Sequence, residues 1–225
     1  MSKLDWDVEG QHLYETGVKN CALYVHDGKK YGIGVAWNGI TAVTESPSGA
    51  EASALYADDT KYLNLYSVEE LGATVEAYTY PDEFAECDGS ASIATGVTIG
   101  QQNRKSFGLA YKTVVGNDTE ANDYGCKIHI LYGCKASPSE KAYATINDSP
   151  EAITFSWELT TTPVDVPGYK KTASVTIDTT KFTTSEDKKK LQALEDKLFG
   201  SDNQEPTLLT PKEIIELLSA NSVSG

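Results

Sequence analysis

Polar and apolar positions alternate, cleanly or in part, with the two-residue period of half-buried strands in a series of short runs between about residues 21 and 177. The cleanest case is 152–159, where Ile153, Phe155, Trp157 and Leu159 share one face. In 73–80, Ala73, Val75, Ala77 and Thr79 share a face, with Thr74, Glu76, Tyr78 and Tyr80 opposite. The central stretch, 107–115, is rich in aromatic and β-branched residues and is answered by 125–135. Between them lie Gly116, Asn117, Asp118, Thr119, Glu120, Ala121, Asn122, Asp123 and Tyr124, all polar or turn-forming apart from Ala121. This predicts a long antiparallel hairpin with an acidic tip. Further strands are predicted at 21–25, 31–37, 40–44, 62–66, 93–99, 143–146 and 173–177. Asp27-Gly28 and Asn38-Gly39 separate the first three of these, which predicts a β-meander, since Asn-Gly readily supplies the positive φ of a two-residue turn.

Gly32 and Gly34 alternate on the second predicted strand. They lack the third glycine of a nucleotide-binding loop, and they predict close packing against a backbone or a bulky ring. Residues 1–20 form an arm anchored by Trp6, Val8, Leu13 and Tyr14, and 45–61 is a long polar connection with adjacent Asp58 and Asp59. Pro81 opens a short helical turn, with acids after it to suit the exposed N–H groups. From Ser185 the period changes. Leu191, Leu194 and Leu198 make one helical stripe stopped by Gly200, and Thr210 with Glu213 forms a capping box before a second helix. The pattern as a whole predicts a mainly β chain: an antiparallel sandwich or partly open barrel with a short flanking helix and C-terminal helices. It divides into a β-rich body, 1–184, and a helical appendage with its linker, 185–225.

The 225 residues are 40% apolar, enough for a core. No apolar run approaches the roughly 18 residues of a membrane span. The N-terminus lacks an apolar leader core, so a chain made and kept in a cytoplasm is expected. The net charge of −14 argues against stable nucleic-acid binding, which needs a basic face. It is compatible with DNA in transit, or simply with solubility. Cys21, Cys87, Cys126 and Cys134 have no metal-ligand spacing and are expected as reduced thiols. His129 reads as a packing or hydrogen-bonding residue, and none of the three histidines follows a nucleophile elbow. Residues 118–125 resemble a calcium loop in composition alone. No enzyme activity, cofactor or metal is therefore expected.

Four pieces carry a family resemblance. The run Phe107-Gly-Leu-Ala-Tyr-Lys-Thr-Val-Val-Gly-Asn-Asp118 resembles a segment of the major tail proteins of Gram-positive siphophages. So do Tyr80-Pro-Asp-Glu-Phe84, Gly100-Gln-Gln102 and Thr145-Ile-Asn-Asp-Ser-Pro-Glu151. The likeness covers about residues 6–163 and continues more weakly to 200. It implies a virion protein, made in the host bacterial cytoplasm, that assembles as hexameric rings stacked into a tail tube. Long hairpins of the six subunits would join into one inner β-barrel, a conduit for DNA. Implied partners are the chain itself, a tape measure protein, and tail terminator and distal tail proteins. No membrane is involved, and DNA is present only in transit. The resemblance makes the 107–135 hairpin the first candidate for the lumen wall and 31–44 the second. Lys112, Asp118, Glu120, Asp123, Lys127 and His129 are the lumen-lining candidates. Residues 46–60 are assigned by the resemblance to contact between rings or subunits, with Ser46, Glu51, Tyr56, Asp58 and Asp59, and Asn38 at the turn before, as candidates. The rival readings are the tube of a contractile tail or phage-like particle, and a monomeric β-sandwich binding module such as a carbohydrate-binding domain.

Overall fold

A computed structural model describes residues 3–146, 148 and 151–219. Its strands are β1 (Tyr14–Val25), β2 (Val35–Trp37), β3 (Ile40–Ser48), β4 (Ala52–Ala57), β5 (Thr60–Tyr66) and β6 (Glu70–Ala77). They continue with β7 (Ala91–Ala94), β8 (Val97–Ile99), β9 (Phe107–Asn117), β10 (Ala121–Ala136), β11 (Phe155–Thr160) and β12 (Ser174–Asp178). Two α-helices follow, α1 (Ser185–Phe199) and α2 (Pro211–Ser219), and a short 3-10 helix spans Asp82–Glu86. The fold is mainly β and antiparallel, and its sheet does not close into a barrel. The principal sheet runs β2-β1-β9-β10-β11-β6-β3, with β12 also paired to β10.

The long strand β10 belongs to both halves of that sheet. Its first part pairs with β9 and β12, while Lys135 and Ala136 pair with β11. Between them the β9 register shifts, and Gly133 adopts φ 57°. A Cβ there would lie 2.5 Å from the Thr162 carbonyl oxygen, so only glycine fits the bend. The bend folds one half of the sheet over the other. Leu23, Trp37, Leu109, Tyr111 and Leu131 from one half meet Val75, Ala77, Trp157 and Leu159 from the other in a first buried core. Phe84 on the 3-10 helix is fully buried there, 4.4 Å from Trp37 and 5.1 Å from Trp157 between ring centroids.

Alternate residues of the same strands point the other way. Ala22, Tyr24, Ala110, Ile128, Ile130, Tyr132 and Ile177 form a second core with Leu194, Leu198, Leu208, Leu209 and Ile214. The molecule is thus layered: folded-over sheet, central sheet, helices. The helices start where the local chemistry favours it. Thr184 accepts from the Asp187 N–H at 3.1 Å. At α2, the Glu213 carboxylate accepts from the Thr210 N–H at 2.7 Å while Thr210 Oγ1 accepts from the Glu213 N–H. Buried tyrosine hydroxyls tie the layer down: Tyr24 donates to the Leu198 carbonyl, and Tyr132 to that of Leu209 at 2.8 Å. Residues past 184 therefore share a core with the body.

Several sequence expectations change. Trp6, Leu13 and Tyr14 are exposed instead of anchoring the arm, and β1 is twelve residues long. Only Val35–Trp37 of the 31–37 strand forms; a Cβ at Gly34 would meet the Tyr24 ring at 2.5 Å, the close packing its glycine predicts. β2 pairs with β1 and β3 with β6, so Asn38-Gly39 is a corner between sheet halves, not the turn of a hairpin. The 45–61 connection is largely strand, because β3 runs on to Ser48 and β4 follows. The 93–99 strand is instead the β7–β8 hairpin turning at Thr95-Gly96, with Gly96 at φ 74°. No strand forms at 143–146, where Tyr143 and Ile146 are exposed. Part of the 145–151 motif, positions 147, 149 and 150, lies outside the described residues.

Candidate assembly surfaces

The β9–β10 hairpin is the candidate wall that the resemblance singles out, and its tip is clipped by the N-terminal segment. The Asp118 carboxylate accepts from the Gly10 N–H at 3.0 Å and meets His12 Nδ1 at 2.9 Å. In return Asn117 Nδ2 donates to the Gly10 carbonyl at 3.2 Å, and Tyr14 donates to Asn122 Oδ1 at 3.0 Å. The hydrogen bond from His12 and the Gly10 N–H hold the Asp118 carboxyl down to about 2, and the same carboxylate raises His12 above its ordinary 6.5. Glu120 and Asp123 are exposed beside it.

The other wall candidates divide between the two faces. Lys112 lies opposite Ile128 in register, whereas Thr113 faces Lys127 and Tyr111 faces His129. Lys112 therefore points to the helical layer, where its Nζ meets Glu195 of α1 at 2.9 Å and lies 4.8 Å from the centre of the Phe199 ring. Lys127 points to the opposite face and pairs with Glu15 on β1. His129 stacks flat on Tyr111 at 4.9 Å between ring centroids, with Nε2 2.9 Å from Thr113 Oγ1. Tyr111 in turn donates to Glu45 on β3 at 2.6 Å, tying one sheet half to the other. Burial lowers the His129 pKa, so its ring is neutral at pH 7. The arrangement is that of a packing and hydrogen-bonding residue.

The second candidate region is an arm. β3 and β6 stay paired out to Ser48 and Glu70, and beyond them β4 and β5 continue as a two-stranded hairpin turning at Asp58-Asp59. Both aspartates have positive φ, 50° and 58°, as a type I′ turn requires. Ser46, Glu51, Tyr56, Asp58 and Asp59 all lie along this arm and are exposed; Asn38 is exposed at the corner before it. The leucines of the arm escape sequence reasoning. Leu55, Leu63 and Leu65 share one face and are all exposed, because Leu55 pairs with Leu63 and Ser53 with Leu65. The alternation at 63 and 65 is visible in the sequence, but its partner strand, built largely of alanine, is not.

Among the described residues the central sheet ends on unpaired edges. β2 covers β1 only at Cys21–Leu23, which leaves 14–20 paired on one side, and β12 pairs with β10 alone. No helix among the described residues is long and apolar enough to cross a membrane. No trio of His, Cys, Asp or Glu among them could hold a metal ion.

No protein-family model matches the chain, and no curated protein matches it in sequence. Among solved structures, a chain of the sixfold-symmetrised cryo-EM structure of the anti-feeding prophage baseplate is similar at 8% identity and TM-score 0.36. The match covers 77% of this chain and 97% of that one. A likeness at this level carries no argument about function.

Proposed function

We propose that this chain is a structural subunit of a phage tail tube, with no enzymatic role. Copies join edge to edge into hexameric rings, and rings stack into the conduit that DNA passes during ejection. The observation that carries this reading is the open central sheet, whose two bare edges, 14–20 of β1 and the outer side of β12, differ from each other. Joining unlike edges is a heterologous contact, which closes into a ring or runs on as a filament. Such joining would also remove edges that otherwise template aggregation. The 52–66 hairpin stands clear of the body, as expected of an element that reaches a neighbouring subunit or ring. The family resemblance carried by 80–84, 100–102, 107–118 and 145–151 supplies the tube, the virion location and the partners: tape measure, tail terminator and distal tail proteins.

On this reading the hairpin tip, with Glu120 and Asp123 exposed, contributes acidic side chains to the lumen or to the adjacent ring. The net charge of −14 suits a channel from which phosphates are repelled. Lys112, bound to Glu195, belongs to the wall's supporting side, and Lys127 and His129 to its other face. The test is negative-stain microscopy with light scattering over a range of protein concentrations, alone and with the partner tail proteins. Hollow tubes or sixfold rings are expected. A chain that stays monomeric in both settings and binds a glycan array would overturn the reading in favour of a binding module.

A further inference from the structure

Residues 89–103 contain no Asp, Glu, Lys, Arg or His, in a chain of which 23% is charged. They lie between Asp88 and Arg104, and their first half forms the β7–β8 hairpin. Its register pairs Ala91 with Ile99, Ser92 with Thr98 and Ala94 with Val97. Cross-strand partners point the same way, and a register shift at Ile93, between Ser92 and Ala94, brings Ala94 to the side of Ala91; Ala91, Ala94, Val97 and Ile99 thus make an apolar face, with Ser92 and Thr98 opposite. Ile93, Val97 and Ile99 are exposed. The base of the hairpin is fixed. Asp88 is buried and accepts from Trp157 Nε1 at 3.1 Å, while Arg104 and Lys141 both meet its carboxylate. The Gln102 N–H donates to the Gly89 carbonyl at 2.9 Å, closing the two ends of the stretch together. An apolar hairpin is thus held out into solvent from a clamped root.

Two strands alone are at best marginally stable in water, and an exposed, uncharged, β-branched pair is an aggregation hazard unless something covers it. A second copy of this chain also carries a charge of −14, so copies repel wherever acidic surfaces meet. Their contact is least opposed where both surfaces are neutral. The 52–66 arm offers such a surface: Ser53, Leu55, Leu63 and Leu65 form an exposed face without a charged side chain, and the arm's acids stand at its root, Glu51, and its tip, Asp58 and Asp59. Each surface is two strands wide, which suits face-to-face packing.

We infer that the 91–99 hairpin of one copy docks on the Leu55, Leu63 and Leu65 face of the next copy's arm. The inference rests on the chain being a self-assembling subunit and adds a specific contact to that reading. Because donor and acceptor are different surfaces, the contact is heterologous and propagates from copy to copy.

The test uses two full-length variants, Val97→Lys and Leu63→Asp, each at an exposed position remote from both cores. Unchanged thermal melts establish that each is folded; Ile99→Glu and Leu65→Lys replace any that is not. Each variant alone is expected to raise the concentration needed for association by about tenfold or more, one such factor corresponding to the loss of a modest apolar contact. Mixed one to one at concentrations too low for the strand edges to join, the variants retain one intact donor and one intact acceptor, and are expected to form a dimer that grows no further. Tubes that form normally from Val97→Lys chains overturn the inference and leave the tube reading standing. Variants that block growth but give no mixed dimer overturn the pairing of these two surfaces. A wild type that stays monomeric, and whose Val97→Cys, Leu63→Cys double variant gives no intermolecular disulfide ladder, overturns the inference and the tube reading together.

Discussion

Truncating Leu194 to alanine tests whether the helical layer is one cooperative unit with the sheets. Leu194 has no exposed surface and packs in the core that includes Ile128, Ile130, Tyr24 and Leu198. Its neighbours on one side are strand residues locked in the β9–β10–β12 ladders, so that wall of the cavity cannot collapse far. The cost should therefore fall in the middle or upper part of the ~2–5 kcal/mol range for buried Leu→Ala, about 3 kcal/mol or more. For a chain of this size each kcal/mol moves the melting midpoint by about 2–4 °C, so a fall of about 6–12 °C is expected. A thermal melt reads that shift, and urea unfolding followed by tryptophan fluorescence reads which layers unfold with it. Trp37 and Trp157 are buried between the sheet halves, in the core that α1 does not touch, so their signal reports on the sheets. A lower fluorescence midpoint with an unchanged slope is expected. Leu191→Ala, at a half-buried position on the same helix, should cost less than half as much. If the fluorescence midpoint does not move while helical circular dichroism is lost at lower urea, the layers unfold separately and the argument from the shared core fails.

Two further outcomes follow from single side chains. Asp88→Ala leaves the buried Trp157 indole N–H without an acceptor and Lys141 and Arg104 without their carboxylate; a loss of about 2–4 kcal/mol is expected in the same urea assay. Asp88→Asn keeps an acceptor for the indole and should lose distinctly less; equal losses would assign the effect to the ion pairs alone. The His12–Asp118 clip should depend on pH at both ends. His12 is raised from 6.5, so its contribution is complete below that value and fades as pH rises through the raised one. Asp118 is lowered from 3.8 to about 2, so its contribution is complete above 3.8 and is lost as pH falls through about 2. The clip is therefore tightest between about pH 4 and 6.5, with Asp7 as the other carboxylate near the ring, 3.6 Å from His12 Nε2. NMR titration of the His12 ring should give a value above 6.5 that drops in Asp118→Asn; identical titrations in the two proteins would show that the clip is not populated.

Strands and helices with strong local signals were legible. The 107–115 and 125–135 runs form the central hairpin, and the stripe of Leu191, Leu194 and Leu198 forms α1 with two of its three leucines fully buried. Capping is equally local, and Thr210 with Glu213 closes as its spacing predicts. The 45–61 stretch carries no strand signal of its own because Ala52, Ser53, Ala54 and Ala57 give no hydrophobic alternation; their strand exists through pairing with 60–66. The β7–β8 hairpin looks like one strand in the sequence because Thr95-Gly96 is a weaker turn signal than Asn-Gly. Asn38-Gly39, the strongest turn signal, formed a turn but joined different partners.

What the sequence determined by itself was the mainly β character, the turns at Asn38-Gly39 and at the tip of the central hairpin, and the two C-terminal helices, because each depends on side chains within a few residues of one another. Only the tertiary structure decided which strands pair, that Lys112 and Lys127 lie on opposite faces of one hairpin, and that Asp118 is clipped by Gly10 and His12, more than a hundred residues away. It also decided which apolar residues stay outside. Leu63 and Leu65 alternate as core residues do, yet they are exposed, because burial depends on what the rest of the chain brings to a face and period alone does not fix it.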